Sequence, residues 1–123
     1  MVNANEVYQN NQVTTAKPEE LTLMLYNGGL RFLRQAQLAI EKRDFPKAHT
    51  LIIKTQDILT EFMVTLNMEY EISHSLFSLY EYMKRKLIEA NVSKDLVILA
   101  EVQGMLLELK NTWAEAMKKD KNS

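Results

Sequence analysis

From Phe45 onward the apolar residues keep a helical beat. Phe45, Ala48, Ile52, Leu59, Phe62 and Leu66 form one stripe, and Ile72, Leu76, Leu79, Tyr80, Met83 and Leu87 a second. Leu99, Val102, Leu106, Leu109, Trp113 and Ala116 form a third. The steps are mostly three, four or seven, as a period of 3.6 requires. Between these stripes lie start and stop signals. Pro18 followed by Glu19 and Glu20 opens a helix, with proline at its first position and carboxylates at the positive end of its dipole. That helix runs to about Lys42, interrupted only by Gly28-Gly29. Asp44 caps a second helix reaching Leu66, and Asn67 to Ile72 is a connector. A third helix covers about Ile72 to Ala90, with Asn91 as its breaker. Ser93 and Asp95 open a fourth, to about Lys119.

Four helices with short connections predict an all-α fold, an antiparallel up-down four-helix bundle over residues 17–119. Residues 1–16 are rich in Asn, Gln and Thr and lack periodicity. They read as a flexible N-terminal arm with two apolar beads, Val7 and Tyr8. Residues 120–123 read as a frayed tail.

The first helix carries more apolar surface than one core face needs. Leu21, Leu25, Gly28, Phe32, Ala36 and Ala39 fall on one stripe. Leu23, Tyr26, Leu30, Leu33 and Ile40 fall on an adjacent one. Together they span roughly 220° of the helix. The other helices add isolated residues away from their main arcs: Ile53 and Val64, Phe77 and Ile88, Leu96 and Leu107. A helix touching two neighbours buries a wide arc, and scattered exposed apolar residues are ordinary. Second stripes on several helices also make grooves for a partner's amphipathic segments. Spacing alone leaves groove and core undivided.

Composition narrows the chemistry. There is no Cys, which removes disulfides, thiolate metal sites and Cys nucleophiles. With 15 basic and 16 acidic residues the net charge is -1. Neither half is strongly basic, so bulk charge does not support a nucleic-acid ligand. The run Lys84-Arg85-Lys86 is flanked by Glu81 and Glu89 and reads as an ion-paired surface. No apolar run approaches the roughly 20 residues of a membrane span, and the first residues lack a signal-peptide pattern. The expected compartment is the cytoplasm, without direct membrane insertion.

A bundle can hold a carboxylate-bridged metal pair, which takes two Glu-x-x-His motifs and two further Glu. This chain has one such motif, Glu71 to His74, on a face away from Leu76, Leu79 and Met83. A ferritin-like metal protein is therefore disfavoured, and no cofactor is expected. Ser75 and Ser78 near His74 lack a nucleophile elbow and an oriented acid, so an enzyme is not expected either.

Residues 7–30, V-Y-Q-N-N-Q-V-T-T-A-K-P-E-E-L-T-L-M-L-Y-N-G-G-L, resemble the opening of the flagellar secretion chaperones FliS. Their pattern is A-Y-x-x-x-x-x-x-T-A-S-P-E-E-L-x-x-M-L-Y-D-G. The likeness continues through Ile52–Ile58, Thr65–Glu69, Leu79–Asn91 and Thr112-Trp113, in the form found in Gram-positive bacteria. The resemblance implies a cytosolic export chaperone. Such a protein binds the disordered C-terminal segment of flagellin, prevents its premature polymerisation and delivers it to the flagellar type III export gate. The flagellin-binding surface would then be drawn from Leu23, Tyr26, Leu30, Leu33, Ile40, Ile53, Val64, Phe77, Ile88, Leu96 and Leu107. Val7 and Tyr8 would dock to the cytosolic domain of the export-gate membrane protein or cap the groove. Two positions depart from the pattern. Lys17 replaces the serine before Pro-Glu-Glu and cannot supply a capping oxygen, and Asn27 replaces the aspartate before glycine.

Overall fold

The computed structural model describes residues 17–122, with side chains to Lys119. Four helices follow one another: α1 Pro18–Glu41, α2 Phe45–Thr65, α3 Glu71–Ser93 and α4 Leu96–Asn122. Each packs on its sequence neighbour, and α4 closes the ring on α1. With turns this short, the helices alternate up and down. The tight α1–α2 turn places Arg43 at φ 62°.

The caps explain most boundaries. The Asp44 carboxylate accepts from the Lys47 backbone N–H at the start of α2. Asp95 accepts from Val97 and Ile98, at 2.9 and 3.2 Å, at the start of α4. Both satisfy amides that the first helical turn leaves without partners. The stop expected at Asn91 falls later. α3 continues to Ser93 and ends on Lys94 in the left-handed conformation, φ 54°. The Lys94 ammonium donates to the Asn91 carbonyl and side-chain oxygens, so Asn91 serves inside the last turn. Helix α4 likewise runs past Lys119, to Asn122.

At the start of α1, Lys17 makes no side-chain capping bond. The Trp113 indole N–H reaches the Glu19 carbonyl at 3.0 Å and ties this first turn to the far end of α4. Lys17→Ser is expected to raise stability by about 1 kcal/mol by supplying the missing acceptor. An upward shift of the thermal unfolding midpoint, absent in Lys17→Ala, checks it.

The core runs along the ring's axis. Leu33, Ile52, Leu59, Met83, Leu87, Leu99, Val102 and Leu106 are fully buried. At one level Phe62 stacks between two tyrosines, with ring centroids 4.6 Å from Tyr26 and 5.2 Å from Tyr80. The tyrosine hydroxyls share a 2.7 Å hydrogen bond from α1 to α3 across the bundle. Ala116, a stripe member near the end of α4, is exposed rather than in the core, and two further stripe members, Phe45 and Ile72, are exposed as well. The latter two sit in the first turns of their helices, where no neighbouring helix covers them.

Candidate functional site

Helix α1 shows how the core divides an apolar arc. Tyr26 and Leu33, expected to line a groove, are 4% and 0% exposed. This corrects the sequence reading. α1 packs against both α2 and α4, so its buried arc straddles the two stripes, with Tyr26, Gly29, Leu33 and Ala36 at its centre. Leu23 and Leu30 of the same stripe are half-buried at the edge of that arc, and Ile40, seven residues after Leu33, is half-buried at the end of the helix, packed against the core.

The remaining candidates sort onto two opposite faces. Leu30 and Leu107 line an open groove of about 500 Å³ between α1 and α4, with Arg31, Arg34, Ala100, Gln103 and Gly104. Leu107 is 45% exposed. Leu96 lies eleven residues before it, three helical turns, and so shares its face.

The second face is the α2–α3 seam. The Asn91 side-chain amide donates to His49 Nδ1 at 2.9 Å, marking the sides on which these helices meet. Ile53 and Val64 follow His49 by four and fifteen residues. Phe77 and Ile88 precede Asn91 by fourteen and three. Helical spacing turns Ile53, Phe77 and Ile88 toward this side of the bundle, whereas Val64, about 60° further round α2 than His49, points outward from it. Val64 is 75% exposed and Ile88 50%; Ile53 is exposed and Phe77 half-buried. In a ring ordered α1-α2-α3-α4, the α1–α4 and α2–α3 seams lie on opposite sides.

Sequence reasoning missed a second depression, about 300 Å³ between α3 and α4, lined by Leu79, Met105, Glu108, Leu109 and Thr112. Leu79 and Leu109 were expected in the core and stand at its edge. The available signal was Met105, apolar and beside the main stripe of α4. The Tyr82 hydroxyl donates to Glu101 at 2.7 Å across the same seam, which raises the phenol above its ordinary range.

The polar chemistry is sparse. Glu71 and His74 are exposed, and the His74 Nε2–H donates to the Met68 carbonyl at 3.0 Å. Among the described residues no three acidic or histidine side chains converge on a metal-sized site. No helix among them is long and apolar enough to cross a membrane. Val7 and Tyr8 lie outside the described residues.

Fold and surface together define a class: a small four-helix bundle that leaves apolar side chains exposed beside an open groove. The comparisons with known proteins make the assignment. The family described as "Flagellar protein FliS" matches residues 1–120, so the chain belongs to the FliS family. "Flagellar secretion chaperone FliS" of Bacillus subtilis strain 168 is 43% identical, across 97% of this chain and 90% of the relative. FliSB of Pseudomonas aeruginosa is 40% identical, covering 83% and 82%. A solved structure titled "Crystal structure of flagellar chaperone from bacteria" shares the fold. Its TM-score is 0.78 at 19% identity, over 94% of this chain and 96% of that one.

Proposed function

We propose that this protein is a cytoplasmic export chaperone that holds the disordered C-terminal segment of flagellin and delivers it to the export-gate membrane protein. Membership of the FliS family supports the flagellar role. The observation that carries the binding mode is the pair of apolar seams on opposite faces of the bundle. A segment that is disordered alone loses conformational entropy when it folds on a partner, so it needs a long contact path to recover the cost. Seams on both faces supply such a path if the segment wraps the bundle. Apolar residues kept in the seams cannot at the same time pack into a filament, which is how polymerisation is held back. Val7 and Tyr8 are proposed to dock on the gate's cytosolic domain. No nucleic-acid ligand and no catalytic step belong to this reading.

The test uses the α2–α3 side of the bundle. Ile53→Glu combined with Val64→Glu places two carboxylates where apolar side chains would be covered. Both residues are exposed, so the bundle should fold normally by circular dichroism. Flagellin affinity measured by calorimetry is expected to fall by about tenfold or more, since a buried unpaired charge is costly. Unchanged affinity would remove this side from the binding surface.

A further inference from the structure

The α1–α4 groove has a feature that apolar complementarity does not require. Its floor is apolar, from Leu30, Ala100, Gly104 and Leu107, but its charged rim is of one sign, Arg31 and Arg34. From Leu21 to Ile40 the chain contains no Asp or Glu. Between Leu96 and Asn111 helix α4 has two carboxylates, and both turn toward α3. Glu101 accepts from Tyr82, and Glu108 lines the α3–α4 depression. The ion pair found among the described residues is Lys86–Glu89, on another helix, so neither arginine has an acidic partner among them. Arg31 is also held in place: its guanidinium lies 5.5 Å from the centre of the Phe32 ring. Two arginines three residues apart on one helix, beside an apolar trough and facing no carboxylate, make a surface whose charge is unmatched within the bundle.

We propose that this groove receives an amphipathic helix of the client that carries two carboxylates about one turn apart, read by Arg31 and Arg34. The proposal rests on the chaperone reading and names the chemistry of the client segment that enters this seam. Apolar side chains of that helix would lie over Leu30 and Leu107. Its flank toward α1 would bring the carboxylates to the guanidinium groups, where paired N–H donors match carboxylate geometry. At the trough α4 presents only the small residues Ala100 and Gly104 beside Leu107, which leaves room for side chains of a docked helix. A Cβ built on Gly104 meets no atom within 4 Å, so the space beside it is empty. The charged rim then fixes register and orientation, which apolar contact alone leaves loose.

Two probes separate the charge reading from the apolar one. The first is monomeric full-length flagellin. The second is a synthetic amphipathic helix with leucines along one face and a Glu pair one turn apart on its flank, together with its Lys-pair counterpart. Wild-type protein should prefer the Glu peptide by about tenfold or more, with a preference that shrinks as salt rises. Arg31→Glu/Arg34→Glu should invert that preference and weaken flagellin binding by a similar factor. Gly104→Leu fills the trough and should weaken both ligands, whereas Gly104→Ala should bind them as wild type does. Circular dichroism on each variant confirms the fold. If wild type binds both peptides alike, or flagellin binding survives both the charge reversal and Gly104→Leu, the proposal is overturned while the chaperone reading stands. If the Glu peptide binds and flagellin does not, the groove stands and the flagellin assignment falls. Self-association of the free protein that Gly104→Leu abolishes would make the groove a contact between copies and overturn the proposal too.

Discussion

Leu33→Ala is expected to destabilise the bundle by about 3 kcal/mol, enough to lower its unfolding midpoint by roughly 10 °C. Leu33 is fully buried at the middle of α1, surrounded by the core residues of the other helices. Removing its isobutyl group loses the transfer free energy of the side chain. It also leaves a cavity that a close-packed interior cannot fully collapse. Leu30, three residues earlier and one turn away, is the control. It is half-buried on the groove edge, so Leu30→Ala is expected to cost about 1 kcal/mol or less in stability, in proportion to the smaller area it hides. Its effect should appear in client affinity instead. The contrast separates two leucines that the helical pattern places on the same stripe. Similar losses of stability for both, by chemical denaturation, would mean that α1 buries both equally.

That pair also marks where sequence stops being informative. The starts of α1, α2 and α4 were legible because their causes are local: Pro18 with two glutamates, and Asp44 and Asp95 as caps. The cores of α2 and α4 were legible because their arcs are narrow and have one reasonable centre. Helix α1 has an arc of roughly 220°, and nothing in its own periodicity says where the centre lies. Contacts with α2 and α4 decide it, and these are tertiary facts. Val64, Ile88 and Leu107, which stand apart from any stripe, are exposed, a division that spacing alone left open. Ala100 and Gly104 could not be read as groove residues. A small side chain makes a hollow only relative to the helix beside it. Arg31 and Arg34 were visible as charges on the remainder of α1, but their place on the rim depends on α4.

Above pH 10 the protein is expected to lose stability steeply, and the Tyr26–Tyr80 pair should be a principal cause. Burial pushes both phenols above their ordinary value of 10.0, and for Tyr80 the hydrogen bond to Tyr26 adds to the same direction. In the folded state both remain neutral while the unfolded chain begins to ionise. A group whose folded pKa is raised contributes stability that is fully present below its unfolded value and lost as pH climbs toward the folded one. Each phenol that stays protonated in the folded state then removes up to about 1.4 kcal/mol per pH unit once the unfolded tyrosines are ionised, Tyr80 the more fully, because its hydrogen bond to Tyr26 adds to the effect of burial whereas for Tyr26 it works against it. At neutral pH the same pair makes a second, independent expectation. Tyr80→Phe leaves the Tyr26 hydroxyl buried without its partner and should cost about 1–3 kcal/mol, whereas Tyr26→Phe/Tyr80→Phe removes both polar groups and should cost less than the sum of the single changes. The stacking on Phe62 survives in the double variant, because the rings are kept. Denaturant titrations of wild type, both single variants and the double variant from pH 7 to about 11 test both expectations, since lysines and the other tyrosines contribute equally to all four proteins. The double variant should follow the shallower curve above pH 10. Parallel curves would mean that the two hydroxyls reach solvent and ionise in place, and that the hydrogen bond across the bundle does not isolate them from water.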